Sequence, residues 1–263
     1  MGPVELSYFD VAFSAVLVLA AGAVSLGLRL GLEGRLALAS VRTVVQLLLI
    51  GYVLTWVFAI EHPLVLAPVL LIMIGAASRA AVARSARYYP GAMLRAFGTL
   101  SLCGLVTVFV AATLIVGVEP WYSPQYIIPL LGMLLGNGLN GISLCLDTLL
   151  EHLEERRGLV EMELAHGATR WEAARDVLRD SVRRGMIPII NSMMVVGLVS
   201  LPGMMTGQIL SGTSPLQAVK YQIMIMFMIA ATTSLGCMGT AVLVFQRLFN
   251  DRHQLRAELI TRR

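Results

Sequence analysis

The sequence is poor in charge. Of its 263 residues 14% are charged and 57% are hydrophobic, whereas a soluble domain carries about a quarter charged residues. A soluble globular fold is thereby excluded. There is one lysine, Lys220, and no basic residue precedes Arg29. Glu5 and Asp10 stand ahead of the first apolar run, a pattern that argues against a secretory signal. The three cysteines, Cys103, Cys145 and Cys237, lie in apolar context without CxxC spacing, which excludes a disulfide framework and a zinc site. No GxxxxGK[ST] stretch occurs, so the chain has no P-loop with which to bind ATP. Strict apolar–polar alternation is missing, and a membrane β-barrel goes with it. The histidines (62, 152, 166 and 253) fall near or beyond the apolar segments, and no tight transition-metal site can be derived from them. The net charge of +4 does not indicate nucleic-acid binding, because the basic residues are dispersed by topology.

What is present is a series of apolar runs. About 20 residues cross a hydrocarbon core of about 30 Å. Runs of that length predict an all-α, polytopic membrane bundle forming one domain over residues 1–263. Seven spans are expected: Phe9–Leu28, Leu38–Ile60, Leu64–Ala83, Leu94–Val118, Ile127–Leu150, Met186–Leu210 and Ala218–Phe245. Nineteen of the twenty basic residues then fall on one side: Arg29, Arg35 and Arg42; four arginines between spans three and four; seven between five and six; five after span seven. The connections near Glu61–Pro63, Glu119–Gln125 and Ser211–Pro215 carry none. The positive-inside rule places the N-terminus outside and the C-terminus inside. Trp121, Tyr122 and Tyr126 sit at an outer boundary, where amphipathic aromatics are favoured. The expected location is the inner or plasma membrane, with the lipid bilayer as solvent.

Several polar residues interrupt the spans. Arg42 and Gln46 lie one turn apart on one face. Arg42 either snorkels to the inner headgroups or lines a path. Asn137 and Asn140 fall near the middle of span five among Gly132, Gly136, Gly138 and Gly141. They serve close helix packing or form a polar lining. Span six is broken by Pro202 and Gly203, and broken helices at membrane depth occur where backbone is buried in protein or faces a cavity. Ser200, Pro202, Gly203, Met204, Met205 and Gln208 are therefore the candidate gate, a simple kink being the alternative. Lys220 either snorkels outward or faces a vestibule. Met193/Met194, Met204/Met205 and Met224/Met226/Met228 offer thioether sulfur, a soft ligand, or flexible filler; the spacing of two in the last group points its members in different directions. The metal ligands are unknown at this level.

The long polar stretch lies at about 151–187. Within it Gly167 is expected to stop a short helix Val160–His166. Thr169 and Glu172 then form a capping box for the next helix. Trp171, Ala174, Leu178 and Val182 recur at helical spacing on that helix. A helix–break–helix of mixed charge predicts a cytoplasmic docking knob; a helix lying passively on the membrane is the alternative. Its contact residues are expected to be Glu161, Glu163, Leu164, Ala165, Gly167, Ala168, Thr169 and Trp171.

The cytoplasmic loop of many ABC-transporter permeases has a glutamate six residues before a glycine and an aliphatic residue ten after it. Glu161, Gly167 and Val177 resemble that pattern, while Met162, Glu163, Arg179 and Asp180 depart from it. The blocks VRTVVQLLLIGYVL, IPLLGMLLGNGLNG, ELAHGAT, RDSVRRGMIP, VGLVSLPGMMTGQIL and PLQAVKYQIMIMF resemble the FetB-type family of ABC permeases over roughly residues 36–256. That family includes bacterial iron exporters and plant aluminium-tolerance permeases. The resemblance implies a permease that binds no cofactor itself, a separate ABC ATP-binding subunit holding ATP-Mg, a homodimer of permeases, and export of iron or another metal. Export of a nucleotide sugar or other anionic solute is the alternative, and would give Arg42 and Lys220 more weight. A partner-free secondary transporter or channel would show inverted repeats and buried carboxylates. Asp147 is the one acid near a span interior, and seven spans do not divide evenly. An intramembrane enzyme would need an embedded His/Asp/Glu set or a Ser–His pair, and none is present.

Overall fold

A computed structural model describes residues 7–60 and 62–262; Glu5 and Glu61 lie outside them. The fold is a helical bundle. Helices α1 (Tyr8–Gly27) and α2 (Glu33–Ile60) form a hairpin, followed by α3 (Pro63–Ala83) and α4 (Ala92–Val110). The last helix continues through a π-helical turn, Ala111–Val116, which Gly117 closes at φ +68°. Then come α5 (Pro124–Glu155), α6 (Arg157–Ala165), α7 (Arg170–Val195), α8 (Gly203–Leu210) and α9 (Pro215–Leu248). Two short strands, β1 (Arg87–Tyr88) and β2 (Thr261–Arg262), pair antiparallel.

Local chemistry explains the ends. Ser7 and Asp10 make a capping box on α1, satisfying open backbone donors reciprocally. His62 accepts from the Leu64 amide at 3.2 Å ahead of Pro63. Pro124 and Pro215 occupy the first turn of α5 and α9, where a missing donor costs nothing.

Among the described residues, six helical segments are long and apolar enough to cross a membrane: those beginning at Phe9, Glu33, Pro63, Ala92, Pro124 and Pro215. The expected sixth span, Met186–Leu210, is not one helix. Its first part is the end of α7, which starts back at Arg170. Pro188 sits inside α7 without stopping it. The helix breaks at residues 196–202, where Gly197 takes φ +83° and its amide donates to the Ser200 carbonyl at 2.9 Å. Pro202 then caps α8. The polar platform and the apolar span are thus one rod of 26 residues, about 39 Å long. The switch from polar to apolar composition marks a change of solvent along the rod, not a helix boundary.

α5 is the central helix, packed on α3, α4, α7 and α9. Its tightest contact lies where α5, α7 and α9 cross. A Cβ added at Gly185 would meet the Gly141 carbonyl oxygen at 2.7 Å, Cys145 Cβ at 2.8 Å and Cys237 Sγ at 2.8 Å. One added at Gly141 would meet the Gly185 carbonyl oxygen at 2.9 Å. Neither glycine has room for a side chain, so the two backbones touch. By contrast α1 and α2 are only 6% buried across their apolar windows. α2 meets the core through Val53, Leu54, Val57 and Phe58, all in its second half.

Replacing Gly185 with alanine forces a backbone shift at this crossing and is expected to destabilise the bundle by about 1–3 kcal/mol. Gly158→Ala, with no atom within 4 Å of the added Cβ, should not. Thermal unfolding in detergent checks the difference, and equal Tm values for the two variants would refute the claim.

Candidate functional site

The platform follows from its turn chemistry. α6 ends in a Schellman arrangement: the Ala168 amide donates to the Glu163 carbonyl at 3.1 Å, and the Gly167 amide donates to that of Leu164 at 3.1 Å. That closure requires a left-handed residue, and Gly167 supplies it at φ +94°. Thr169 then caps α7. Its Oγ1 accepts from the Glu172 amide at 3.3 Å, while its own amide donates to Glu172 Oε2 at 2.8 Å. The Thr169 hydroxyl also donates to Glu172 Oε2 at 2.7 Å. Hydrogen bonds from the Thr169 hydroxyl, and next from its amide, hold the Glu172 carboxyl below the usual carboxylate range.

The residues expected to make the docking knob form one continuous stretch of surface. Glu161, Glu163, Ala165, Gly167, Thr169 and Trp171 are exposed; Leu164 and Ala168 are half-buried. The short helix begins at Arg157, not Val160, held by an Arg157–Glu161 pair at 2.7 Å. Trp171, 51% exposed, stands edge-on to Phe245 of α9 at 5.2 Å. Ala174 and Leu178 are buried and Val182 is half-buried, as the helical spacing predicts.

The tail that braces this surface is not among the elements expected from the sequence. Beyond α9 the chain turns back beneath α6 and α7. His253 Nδ1 accepts from the Arg170 amide at 2.8 Å, and Asp251 pairs with the Arg170 guanidinium at 2.9 Å. Glu161, Leu164, His253, Arg256 and Glu258 are among the residues lining a groove of about 470 Å³ between α6 and the tail. Strand β2 then joins the α3–α4 connection. Arg87 reaches Glu151 at 3.3 Å and Glu155 at 3.7 Å and also binds Glu154, which Arg262 approaches at 2.9 Å. The hydrogen bond to Glu154 is the main cause that raises the pKa of Arg87. Burial pushes the Tyr89 phenol up to about 12. The one sequence signal for this brace was the arginine-rich end.

The candidate path residues fall in three places. Arg42 and Gln46 are exposed on the first half of α2 and make no hydrogen bond or ion pair among the described residues. Asn137 and Asn140 lie on the uncovered face of α5. Asn137 Nδ2 donates to the Met133 carbonyl at 2.9 Å, and the Arg84 guanidinium donates to Asn140 Oδ1. Ser200 and Pro202 lie in the break, while Gly203, Met204, Met205 and Gln208 build α8. Met204 and Met205 are half-buried, and the Gln208 side-chain amide oxygen is buried without a hydrogen-bond donor among the described residues. The same is true of the side-chain amide oxygen of Gln222 on α9. Lys220 is exposed and unpaired among the described residues. Asp147 accepts from the Ala86 amide at 2.8 Å and the Ser85 hydroxyl at 3.1 Å, so its role is to hold the α3–α4 connection. Among the described residues no group of three or more His, Cys, Asp or Glu could hold a metal ion.

Thr169→Ala should weaken the start of α7 by about 0.5–2 kcal/mol, seen as faster amide exchange at Glu172, whereas Thr169→Ser should not. Because the Glu172 pKa is depressed in the fold, the cap's contribution is present above the ordinary carboxylate pKa of about 4.3. It fades as pH falls through the lower, folded value. A protection factor at the Glu172 amide that stays constant between neutral pH and that range would contradict this assignment.

Residues 8–249 match a family described as "Uncharacterised protein family (UPF0014)". The UPF0014 membrane protein slr1647 of Synechocystis is 39% identical over 96% of this chain and 97% of its own length. The "Probable iron export permease protein FetB" of Escherichia coli is 34% identical over 94% of this chain and 93% of its own. The Arabidopsis thaliana "Protein ALUMINUM SENSITIVE 3" is 32% identical over 95% and 90%. No solved structure matches.

Proposed function

The chain belongs to the UPF0014 family of membrane proteins, and from that premise we propose that it is the membrane-spanning permease subunit of an ABC exporter. Its arginine-rich side faces the cytoplasm, with the N-terminus outside and the C-terminus inside. A separate ATP-binding subunit, carrying ATP-Mg, docks on the α6–Gly167–α7 surface. Two permeases assemble per transporter in the inner or plasma membrane. The cargo is iron or another metal ion, a reading supported by the printed function of the Escherichia coli relative.

The observation that carries the proposal is the continuity of α7. One end of the rod bears the capping box and the exposed docking surface; the other ends at the 196–202 break. A push delivered at Thr169–Trp171 travels along a hydrogen-bonded helix to Ser200, Pro202 and α8. Closure of ATP-bound partners would bias the bundle between two states through this rod. The brace from Arg170 to the tail, and from Arg87 to Glu151, Glu154 and Glu155, makes the α3–α4 connection move with the platform. One other class finds less support: a partner-free secondary transporter would want carboxylates in its spans, and Asp147 is already engaged with Ser85 and Ala86.

One observation favours a second cargo. The groups presented on the open face of α5 are amides with the Arg84 guanidinium beside them, and α2 offers Arg42. Cationic and neutral donors suit an anionic solute, such as a nucleotide sugar or a negatively charged metal chelate, better than a bare cation.

Two variants test the mechanism in proteoliposomes with the co-expressed ATPase. Gly167→Leu strains the left-handed turn and should reduce permease-stimulated ATP hydrolysis by about tenfold, the equivalent of about 1.4 kcal/mol of coupling, while leaving the bundle's Tm unchanged. Two glycines inserted after Asp180 interrupt the rod. ATPase binding should persist while ATP-driven efflux is lost. Undiminished stimulation in the first variant, or undiminished efflux in the second, refutes the coupling route. Flux measured with a metal ion, its anionic chelate and a nucleotide sugar separates the cargo readings.

A further inference from the structure

Asn137 lies thirteen residues into α5, about 20 Å from its first residue at 1.5 Å per residue. It is therefore well inside a hydrocarbon core of about 30 Å. Asn140 lies nearly one turn further toward the inner side, about 24 Å along the helix, where Arg84 at the end of α3 reaches it. Both are exposed, as is Gly136 beside them. Gly136 has nothing within 4 Å of the position a Cβ would take. On the rest of α5, buried residues meet α3, α4, α7 and α9; this strip is what those neighbours leave open. The chain's own α1–α2 hairpin does not close it, because α2 docks only through Val53, Leu54, Val57 and Phe58.

Lipid is a poor cover for this strip. Asn137 uses one amide proton on the Met133 carbonyl, leaving its other proton and its carbonyl oxygen open. Asn140 takes a guanidinium proton from Arg84 on its oxygen and keeps its own amide protons open. Hydrocarbon offers no partner for such groups. Polar side chains beside small residues are what bring membrane helices into close contact.

We propose that this face of α5 is where a second copy of this chain packs, so that Gly136, Asn137 and Asn140 of both copies line a shared seam through the membrane. The inference rests on the two-permease reading above. The chemistry selects a second copy because the surface is self-complementary. An asparagine amide carries both a donor and an acceptor. Two copies inserted with the same topology are related by an axis along the membrane normal. Identical residues then face each other at equal depth, which is the isologous arrangement of a two-fold dimer. The bare backbone at Gly136 permits close approach, and Arg84 stands at the edge of the seam from each copy. The lining groups of the path are incomplete in one chain and complete in two.

Disulfide trapping of the full chain in native membranes tests this. On a Cys103→Ser background, Asn137→Cys is oxidised with copper phenanthroline. A cross-linked dimer is expected, whereas Leu102→Cys on the exposed side of α4 should give none. Adding Gly136→Leu, which has room within one copy, should abolish the cross-link without lowering Tm. The proposal is overturned if Asn137→Cys stays monomeric, including the case where it reacts with a small hydrophilic thiol reagent and so faces water within one copy. It is equally overturned if the Gly136→Leu variant still cross-links. The assay needs no ATPase, so its failure leaves ATPase stimulation free to support the ABC reading. Conversely, a cross-link through Asn137→Cys in a chain whose unsubstituted form never stimulates the ATPase would sink that reading and keep this one.

Discussion

The contact between the Gly141 and Gly185 backbones is the constraint on which the other features depend. Because neither residue carries a side chain, α7 lies directly on α5 at the point where Cys237 of α9 also presses in. That crossing fixes where along its length α7 is held. On one side the helix runs through Arg184 and Asp180 toward the capping box; on the other it runs through Ile189 and Met193 to the break. The closest approach along that rod is at Gly185, with further buried residues from Ala174 to Ile189 on either side of it. A larger residue at either glycine would separate the helices at this crossing.

The platform end is restrained in a different way. Its ties are polar and largely exposed: Arg170 to Asp251, Arg170 to His253, Arg156 to Asp180 at 3.7 Å. Exposed pairs of this kind each contribute little stability, about 0–1 kcal/mol. Their value lies in direction, since together they bind the tail, α6 and the start of α7 into a single body. The Arg87 cluster is less exposed, the arginine side chain being 11% accessible, and it joins that body to the α3–α4 connection. An apolar waist between polar ends follows from the solvent each part meets. Hydrocarbon rewards close packing of small residues, whereas water tolerates an adjustable network of charges.

This division explains what could be read from the sequence. Hydropathy gave six of the expected crossings, because an apolar run of about 20 residues has few other fates. Gly167, Thr169 and Glu172 disclosed the platform's turn, because left-handed closure and capping are local requirements. The amphipathic helix that starts at Thr169 was expected to enter the sixth span, and α7 does run on: its composition changes near Met186 while its hydrogen bonding does not. The tail's ties could not be read at all. Arg170 and Asp251 are 81 positions apart and Arg87 and Glu154 are 67 apart, and no periodicity reports such pairings. Asp147, the one acid near a span interior, anchors Ser85 and Ala86, and sequence periodicity does not report that pairing either.

The asparagines of α5 mark the boundary of that legibility. Their spacing suggested either a packing face or a polar lining, and sequence alone could not choose between them because the choice depends on what lies opposite. Within one chain nothing lies opposite. A surface carrying amide donors and acceptors at membrane depth has to be met by groups of the same kind, by water, or by both. The two readings then cease to be rivals. If a second α5 supplies the opposing amides, the packing face and the lining are the same surface seen at two moments of opening and closing. Tilting α7 about Gly185 would move the helix that borders this surface. On the reading proposed above, a cargo route beside α5 and a pivot on α5 would be two consequences of one choice, the use of glycine where another helix must come close.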